Sequence, residues 1–439
     1  MKKILFVSLL TLSAAASAQQ KLTLRECMQM GIENNLGLKT SRNEMRKSRD
    51  NLGENRAKLL PQITLVASFN DNFNPPVSVT DGSAYGKPYN VTKTLQYNAS
   101  AGLQLQMPLY SQMALTAMDI TRTVNDINVL SYEKARQDLM MQIAKVYYLL
   151  QNTKEQLSIV QQNIKRFETL KGITQAFYDN QMALEVDVKR ISVQLQSTRI
   201  QAANAEAMLV EQFNMLKYIL DYPADKDIDI VDVKVEEMEV AQMSGLDTQL
   251  YELQLLEQKI KLTDQQTALV KHGYLPTLAL TGSWTYTAFS DKARHWFHNH
   301  EANKWYNANG LGIALRMPIF DGLEKRAKLR KARVDAEIAR ISYQDALRGM
   351  KTQYANAVKD VLNNQRNYET QRQTYLLAED VYEVTYSRYR EGIASMTDVL
   401  TDQMNMSQAQ NAYLTAHYNY QVANLQLMKL TGRIDSLAE

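Results

Sequence analysis

The chain has 439 residues and one cysteine, Cys27, so no intrachain disulfide can form. Its formal net charge of +3 falls to +1 (+3 − 2) if the two lysines of the N-terminal segment are removed, and this near-neutral balance gives no electrostatic reason to expect binding to nucleic acid. Beyond that segment, no run of about 18 apolar residues could form a membrane-spanning helix.

Residues 1–18 have the pattern of a secretory signal peptide. Lys2 and Lys3 precede an apolar run, and Ala16-Ser17-Ala18 supplies small residues before a cleavage point. We therefore expect the chain to be exported.

The rest of the chain is duplicated. Residues 59–65 (LLPQITL) return as 274–280 (YLPTLAL), and residues 107–110 (MPLY) return as 317–320 (MPIF). Tyr178 with Asp187-Val188 returns as Tyr389 with Asp398-Val399, at an offset of 211. Three anchors in the same order at nearly one offset indicate a repeated structural unit.

The predicted organisation follows from this repeat. After the signal peptide, the first repeat covers residues 19–220, a linker covers 221–246 with short strands, and the second repeat covers 247–439. Each repeat is expected to have a leading helix, two strands and a long helical hairpin. The expected ranges are helix 23–59, strands 62–70 and 94–109 and hairpin 111–220, then helix 247–272, strands 277–288 and 309–320 and hairpin 322–431.

The four predicted strands alternate with period two between apolar residues and Gln, Asn, Ser, Thr or Gly, as strands with one apolar and one wet face do. Each is close to the ~10 residues that a tilted strand needs to cross a bilayer. Two soluble hairpins are the alternative, but the export signal and the neighbouring long helices favour membrane strands. The residues that mark the apolar face are Leu95, Tyr97, Leu103, Leu105, Trp284, Tyr286, Leu311, Ile313 and Leu315.

The predicted helices are too long for a compact domain. Residues 111–180 contain no proline and one glycine, and apolar residues recur there at heptad spacing. In the second repeat a tyrosine stripe has the same spacing, which we interpret as a packing seam rather than a ligand site. Seventy helical residues reach roughly 100 Å, so such a helix needs partner helices along its whole length.

Four strands cannot close a barrel, and lipid tolerates no open sheet edge. The pattern therefore requires at least two chains, since eight strands is the smallest usual barrel.

The chain resembles the TolC family of outer-membrane efflux channels over nearly its whole exported part. The resemblance rests on Met317-Pro318-Ile319-Phe320-Asp321-Gly322 before a basic helix start, on residues 389–400, and on the late helix 409–432. It implies a mostly α protein with a transmembrane β-barrel part, in which a homotrimer forms a twelve-stranded barrel and a periplasmic α-helical barrel.

The function that the resemblance implies is an outer-membrane exit duct with a periplasmic extension. Its partners would be a periplasmic adaptor protein, an inner-membrane pump and outer-membrane lipid. The alternative is a periplasmic helical-hairpin adaptor or scaffold without a pore, which has no need of lipid-facing strands. The substrate stays open, because a pore lined by neutral polar side chains is unselective.

The two hairpin tips are expected to dock the adaptor, through Tyr178, Asn180, Gln181, Asp187, Tyr389, Gly392 and Ser395. Gly392 suits the left-handed position that ends a helix, and Ser395 with Asp398 forms a capping-box pattern. In the first tip the family usually has glycine where this chain has Gln181, so we expect the neighbouring Asn180 to build that turn.

A periplasmic gate is predicted at Asp398 and Asp402, which lie four residues apart on one helix face. Copies of that face around one axis would form a ring of carboxylates. The alternative is that Asp398 only caps its helix. The family's second gate acid corresponds to Thr401 here.

Neither a catalytic motif nor a cofactor site is evident. The chain lacks G-x-S-x-G, the phosphate-loop pattern and H-E-x-x-H, so we do not expect an enzyme. His295, His298 and His300 cluster, but no carboxylate-rich or cysteine ligand set surrounds them. An exposed loop near the membrane edge is favoured over a metal site.

Overall fold

The structure, a computed structural model, describes residues 20–231, 245–292 and 305–438. The helices are α1 Leu24–Asn34, α2 Leu36–Ala57, α3 Gln112–Asp179, α4 Glu185–Leu220, α5 Tyr251–His272, α6 Glu324–Arg390 and α7 Met396–Leu430. The strands are β1 Gln20–Leu22, β2 Gln62–Asp71, β3 Val77–Asp81, β4 Tyr89–Lys93, β5 Tyr97–Tyr110, β6 Ile228–Ile230, β7 Thr277–Ser290 and β8 Tyr306–Arg316. Within these ranges no helix is long and apolar enough to cross a membrane.

The compact units do not coincide with the two sequence repeats. Among the described residues, one unit comprises residues 20–43, 130–231, 245–254 and 344–438, and the other comprises 44–129, 255–292 and 305–343. Each unit contains segments of both repeats. The strands of both repeats pair in one sheet, and the helical hairpins of both repeats pack on each other.

The second unit contains an antiparallel sheet in the order β2-β5-β7-β8. Its register aligns the apolar faces of successive strands. Leu65 lies opposite Leu103, which lies opposite Trp284, and Leu105 lies between Ile63 and Gly282. The two edge strands, β2 and β8, each pair on one side only, and their outer sides have no strand partner within the described ranges.

Two predicted strand limits are wrong. β5 begins at Tyr97, so Leu95 precedes it. The Asn72 N–H still donates to the Gln96 carbonyl at the end of the β2–β5 ladder, but the Thr94 N–H donates to the Pro76 carbonyl next to the β3–β4 pair instead. β8 ends at Arg316 rather than near 320. Its ladder partner β7 begins at Thr277, which is opposite Arg316, so residues beyond have no strand to pair with.

A separate hairpin of β3 and β4, which was not predicted from the sequence, lies between β2 and β5 along the chain. Ser83–Tyr85 forms a short 3-10 turn at its tip, and Gly86 follows at a φ of 67°.

The heptad positions of the long helices are buried in the first unit, as the sequence predicts. Ile143 and Leu150 lie in a core with α1, α4 and the β1–β6 pair, while Phe167 packs in a second cluster with Tyr382 and Tyr389. The tyrosine stripe is thus a packing seam.

The first leading helix is interrupted, contrary to prediction. Asn35 separates α1 from α2, since its side-chain oxygen accepts from the Leu38 N–H at 3.0 Å and its amide donates to the Ile219 carbonyl at 2.9 Å. Short β1 pairs in parallel with β6 from the linker.

Candidate functional site

The two hairpin tips have the same backbone turn, 211 residues apart. The N–H of Gln181 donates to the Tyr178 carbonyl at 2.9 Å, and the N–H of Gly392 donates to the Tyr389 carbonyl at the same distance. The following residue in each tip, Met182 or Ile393, donates to a carbonyl five residues earlier. These paired bonds close both helices with a left-handed residue, in the Schellman pattern.

The left-handed residue of the first tip is Gln181, with a φ of 62°, and not Asn180 as expected. Asn180 instead ends α3 with its side chain, whose amide donates to the Ala176 carbonyl at 2.8 Å. Gly392 occupies the equivalent place at a φ of 75°, which glycine adopts without steric cost. The first tip therefore carries strain that the second avoids.

The returning helices begin differently. Ser395 caps α7: its hydroxyl accepts from the Asp398 N–H at 3.2 Å, and its own N–H donates to Asp398 Oδ2 at 3.0 Å. The equivalent residue before α4 is Leu184, which makes no side-chain cap. Asp187, the counterpart of Asp398, pairs with Arg190 at 3.1 Å instead.

The capping box holds the predicted gate acid in place. Hydrogen bonds from Ser395 lower the pKa of Asp398, and the bond from the side chain has a larger effect than the bond from the backbone. This carboxylate is therefore charged at neutral pH. Asp398 is exposed, and Asp402 is half-buried one turn later on α7. Within one chain the two carboxylates therefore offer an anionic strip beside the tip.

The two tips are joined through Tyr389. Its hydroxyl lies 2.9 Å from Thr174 Oγ1 of α3, and its ring centroid lies 5.6 Å from that of Phe177. Tyr178, the counterpart of Tyr389, is 40% exposed, whereas Tyr389 is only 5% exposed. Equivalent positions thus differ: one tyrosine fastens the hairpins together and the other faces outward.

Three large apolar residues at the tips were not predicted from the sequence. The side chains of Met182, Leu184 and Ile393 are exposed, because none of them lies on the buried face of a helix. Their pattern in the sequence does not distinguish them from core residues, because the turns interrupt the heptad spacing there.

The residues predicted to mark the membrane strands lie in β5, β7 and β8, apart from Leu95. Leu103, Trp284, Tyr286, Leu311, Ile313 and Leu315 are exposed on the apolar face of the sheet. On the opposite face a groove of about 470 Å³ is bordered by neutral polar side chains, among them Gln62, Gln104, Gln106 and Ser283. Ser68 with Ser100 and Asn70 with Asn98 make cross-strand hydrogen bonds of 2.8 Å on this face.

No group of three His, Cys, Asp or Glu side chains in the described ranges could hold a metal ion. His295, His298 and His300 lie outside those ranges.

Comparisons with known proteins agree with this geometry. A family model described as "Outer membrane efflux protein" matches residues 28–220 and 250–433. The chain is 22% identical to the outer membrane protein TolC of Escherichia coli K12, over 99% of this chain and 87% of that protein. It is 20% identical to the probable efflux pump outer membrane protein TtgC of Pseudomonas putida, over 93% of this chain and 82% of that one.

Solved structures share the fold. The outer membrane protein VceC of Vibrio cholerae superposes with a TM-score of 0.76 at 16% identity, covering 93% of this chain and 96% of VceC. The outer-membrane channel CmeC of Campylobacter jejuni gives a TM-score of 0.73 at 18% identity, covering 93% and 85%. With a family model matching most of its length, the chain belongs to the outer membrane efflux protein family and is an outer-membrane channel of the TolC type.

Proposed function

We propose that three copies of this chain form the outer-membrane exit duct of a tripartite efflux or secretion system, joined through a periplasmic adaptor to an inner-membrane pump. The observation that carries the proposal is the four-stranded sheet with an exposed apolar face, a neutral polar face and two unpaired edges. A periplasmic adaptor without a pore has no use for such a sheet.

The sheet edges support closure by identical copies. The strand order is antiparallel throughout and even in number, so β8 of one copy can pair antiparallel with β2 of the next. The two strands have similar lengths, 11 and 10 residues. Lipid would leave unpaired edge groups unsatisfied, so closure is strongly favoured. The number three comes from the family resemblance.

The helices support a closed assembly as well. α4 exposes Val186, Val193 and Ile200 at seven-residue spacing, and α6 exposes Leu377, Val381 and Val384. Apolar stripes at these spacings are typical of helix–helix seams. We assign both stripes to contacts between neighbouring copies.

The tips are the proposed docking surface for the adaptor. Two equivalent turns present the exposed side chains of Met182, Leu184 and Ile393 at the tips. These turns contain the residues that the sequence predicts for docking: Tyr178, Asn180, Gln181, Asp187, Tyr389, Gly392 and Ser395. Exposed apolar anchors within a polar rim are typical of protein-binding sites. Asp398 and Asp402 are proposed to ring the periplasmic entrance.

Fractionation and mass measurement test the duct directly. The protein should be recovered from the outer membrane, should have the mass of a trimer in mild detergent, and should form ion-conducting channels in a planar bilayer. Recovery as a soluble periplasmic monomer would refute the proposal.

Docking is tested separately with Ile393→Asp, which places a charge on an apolar anchor. Crosslinking of the tips to a periplasmic adaptor protein in whole cells should fall, while trimer mass and channel formation should persist. Glu391→Gln, two residues away and also exposed, is the control. Equal crosslinking in the Ile393 variant and the wild type would place the docking surface elsewhere.

A further inference from the structure

The start of α6 is strongly basic. Between residues 325 and 333 the chain has Lys325, Arg326, Lys328, Arg330, Lys331 and Arg333, and no acid. Lys325 pairs with Asp321 at 3.0 Å and Lys328 pairs with Glu324. The remaining four cations are exposed and make no ion pair with any other residue in the described ranges.

These cations lie away from the neighbouring helix. α6 packs on α5 through the face that contains Ala336 and Ala339, and the Thr267 hydroxyl donates to the Ala332 carbonyl at 3.1 Å. Arg326, Arg330 and Arg333 follow one another at i, i+4 and i+7, so they share a different face. Lys331 lies on a third side. The exposed circumference of the helix is therefore basic on more than one side.

An exposed apolar segment precedes the cations directly. Ile319 is 95% exposed and Phe320 is 81% exposed, and Leu323 is also exposed. Ile319 continues the period-two row of Leu311, Ile313 and Leu315, which is the apolar face of β8. The chain thus passes within about ten residues from an apolar strand face, through bare apolar side chains, to unpaired cations.

We propose that the α6 basic start, defined as Arg326, Arg330, Lys331 and Arg333, binds the headgroups of anionic phospholipids in the membrane leaflet nearest the helices. The proposal rests on the proposed function only in requiring that the sheet cross the membrane. Arginine recognises phosphate through several donors in a fixed plane, so it suits this ligand. Ile319 and Phe320 lie at the boundary with the acyl chains, where apolar side chains gain from burial.

Charge complementarity selects the occupant. A second copy of the chain at this place would have to supply acids for the four cations. The nearest exposed acids of α6 itself are Glu324, which pairs with Lys328, and Asp335 and Glu337, which form no ion pair with the four cations. A zwitterionic headgroup offers no net compensation for four cations, whereas an anionic headgroup does. Basic segments next to a membrane are attracted to anionic lipid in the same way.

The test uses the detergent-solubilised full assembly, titrated with short-chain phosphatidylglycerol or phosphatidylcholine and followed by native mass spectrometry. Wild type should bind phosphatidylglycerol at least about tenfold more tightly than phosphatidylcholine, and salt should weaken the preference. The triple variant Arg326→Gln, Arg330→Gln and Arg333→Gln should lose the preference. Channel conductance should persist in it, which separates this proposal from the proposed function.

Two further variants keep the result decisive. The triple variant Arg348→Gln, Lys351→Gln and Lys359→Gln removes three exposed cations farther along α6. It should retain the preference for phosphatidylglycerol. Arg326→Lys, Arg330→Lys and Arg333→Lys keeps the charge and should retain most of it. If the triple glutamine variant does not assemble, single Arg330→Gln should still weaken phosphatidylglycerol binding by about threefold.

The proposal is overturned if the triple glutamine variant binds phosphatidylglycerol as the wild type does. It is also overturned if millimolar inorganic phosphate displaces the lipid completely, since the site would then be one for free anions.

Discussion

The hydroxyl of Tyr389 lies 2.9 Å from Thr174 Oγ1, and this buried pair connects α6 of the second hairpin to α3 of the first. Thr174 also donates its own hydroxyl hydrogen to the Leu170 carbonyl at 2.9 Å, so the tyrosine must be the donor between them. Burial raises the pKa of Tyr389, which keeps this donor protonated at neutral pH. The bond ties the hairpins together three turns or less from both tips.

Removing this donor should loosen the tips slightly, and removing the ring should loosen them greatly. Tyr389→Phe should lower the free energy of unfolding by about 1 kcal/mol, because Thr174 keeps its bond to Leu170. Tyr389→Ala should cost about 3 kcal/mol or more, through the cavity beside Phe177. Thermal unfolding measures both. Tyr178→Phe, at the exposed equivalent position, should change little, and a loss as large as that of Tyr389→Phe would contradict this assignment.

The strained turn of the first tip should improve with glycine. Gln181→Gly should raise the melting temperature, since a left-handed non-glycine residue costs about 1 kcal/mol. The reciprocal change Gly392→Gln should lower it by a similar amount. Differential scanning fluorimetry on the two variants gives the comparison. Stabilisation by neither change, or by both, would mean that φ does not dominate the stability of the tips.

The capping role and the proposed gate role of Asp398 can be tested separately, because Ser395 takes part only in the cap and Asp402 only in the gate. Ser395→Ala removes the cap and keeps both acids, so it should cost about 1 kcal/mol of stability without changing conductance. Asp402→Asn leaves the cap intact. If the acids ring the entrance, it should raise single-channel conductance and weaken block by multivalent cations. Unchanged conductance in Asp402→Asn and in Asp398→Asn would leave capping as the role of Asp398.

The same cap has a defined pH dependence. Because the pKa of Asp398 in the folded chain lies below the ordinary aspartate value of 3.8, the unfolded chain takes up this proton first as the pH falls. The destabilisation by Asp398→Asn should therefore be full at pH 7 and should shrink as the pH falls below about 4.

His417 should make the helical unit acid-sensitive at a higher pH. Its ring is buried between Tyr368 and Tyr413, with centroids 5.2 and 6.2 Å away, and its Nε2 has no hydrogen-bond partner in the described ranges. Burial lowers its pKa below 6.5, so the unfolded chain binds the proton more readily. Stability from the neutral ring is complete above about pH 6.5 and declines below it.

His417→Phe should flatten this decline while preserving the aromatic stack. Melting temperatures measured from pH 8 to pH 5 should fall less in the variant than in the wild type. In free energy of unfolding, the difference is up to about 1.4 kcal/mol per unit of pKa depression. Tyr420→Phe, a change in a ring that stacks on Tyr368, is the control. Parallel curves for wild type and His417→Phe would show that the ring is not the source.

The sequence by itself determined the types of element and their order. Period-two alternation and heptad spacing are local properties, so they predicted the four main strands, the two long hairpins and the seam that buries Ile143, Phe167 and Tyr382. The capping box at Ser395 and the left-handed Gly392 were readable for the same reason, because each depends on residues within one turn.

The tertiary structure decided what depends on residues distant in sequence. β8 ends at Arg316 because β7 supplies no partner beyond Thr277, and the helix breaks at Asn35 because that side chain bonds to Ile219 as well as to Leu38. Likewise, Gln181 takes the left-handed conformation since both tips must close in the same turn, whatever residue occupies the position. Tyr178 and Tyr389 are equivalent in the repeat, and only the packing of α3 against α6 makes one buried and leaves the other exposed.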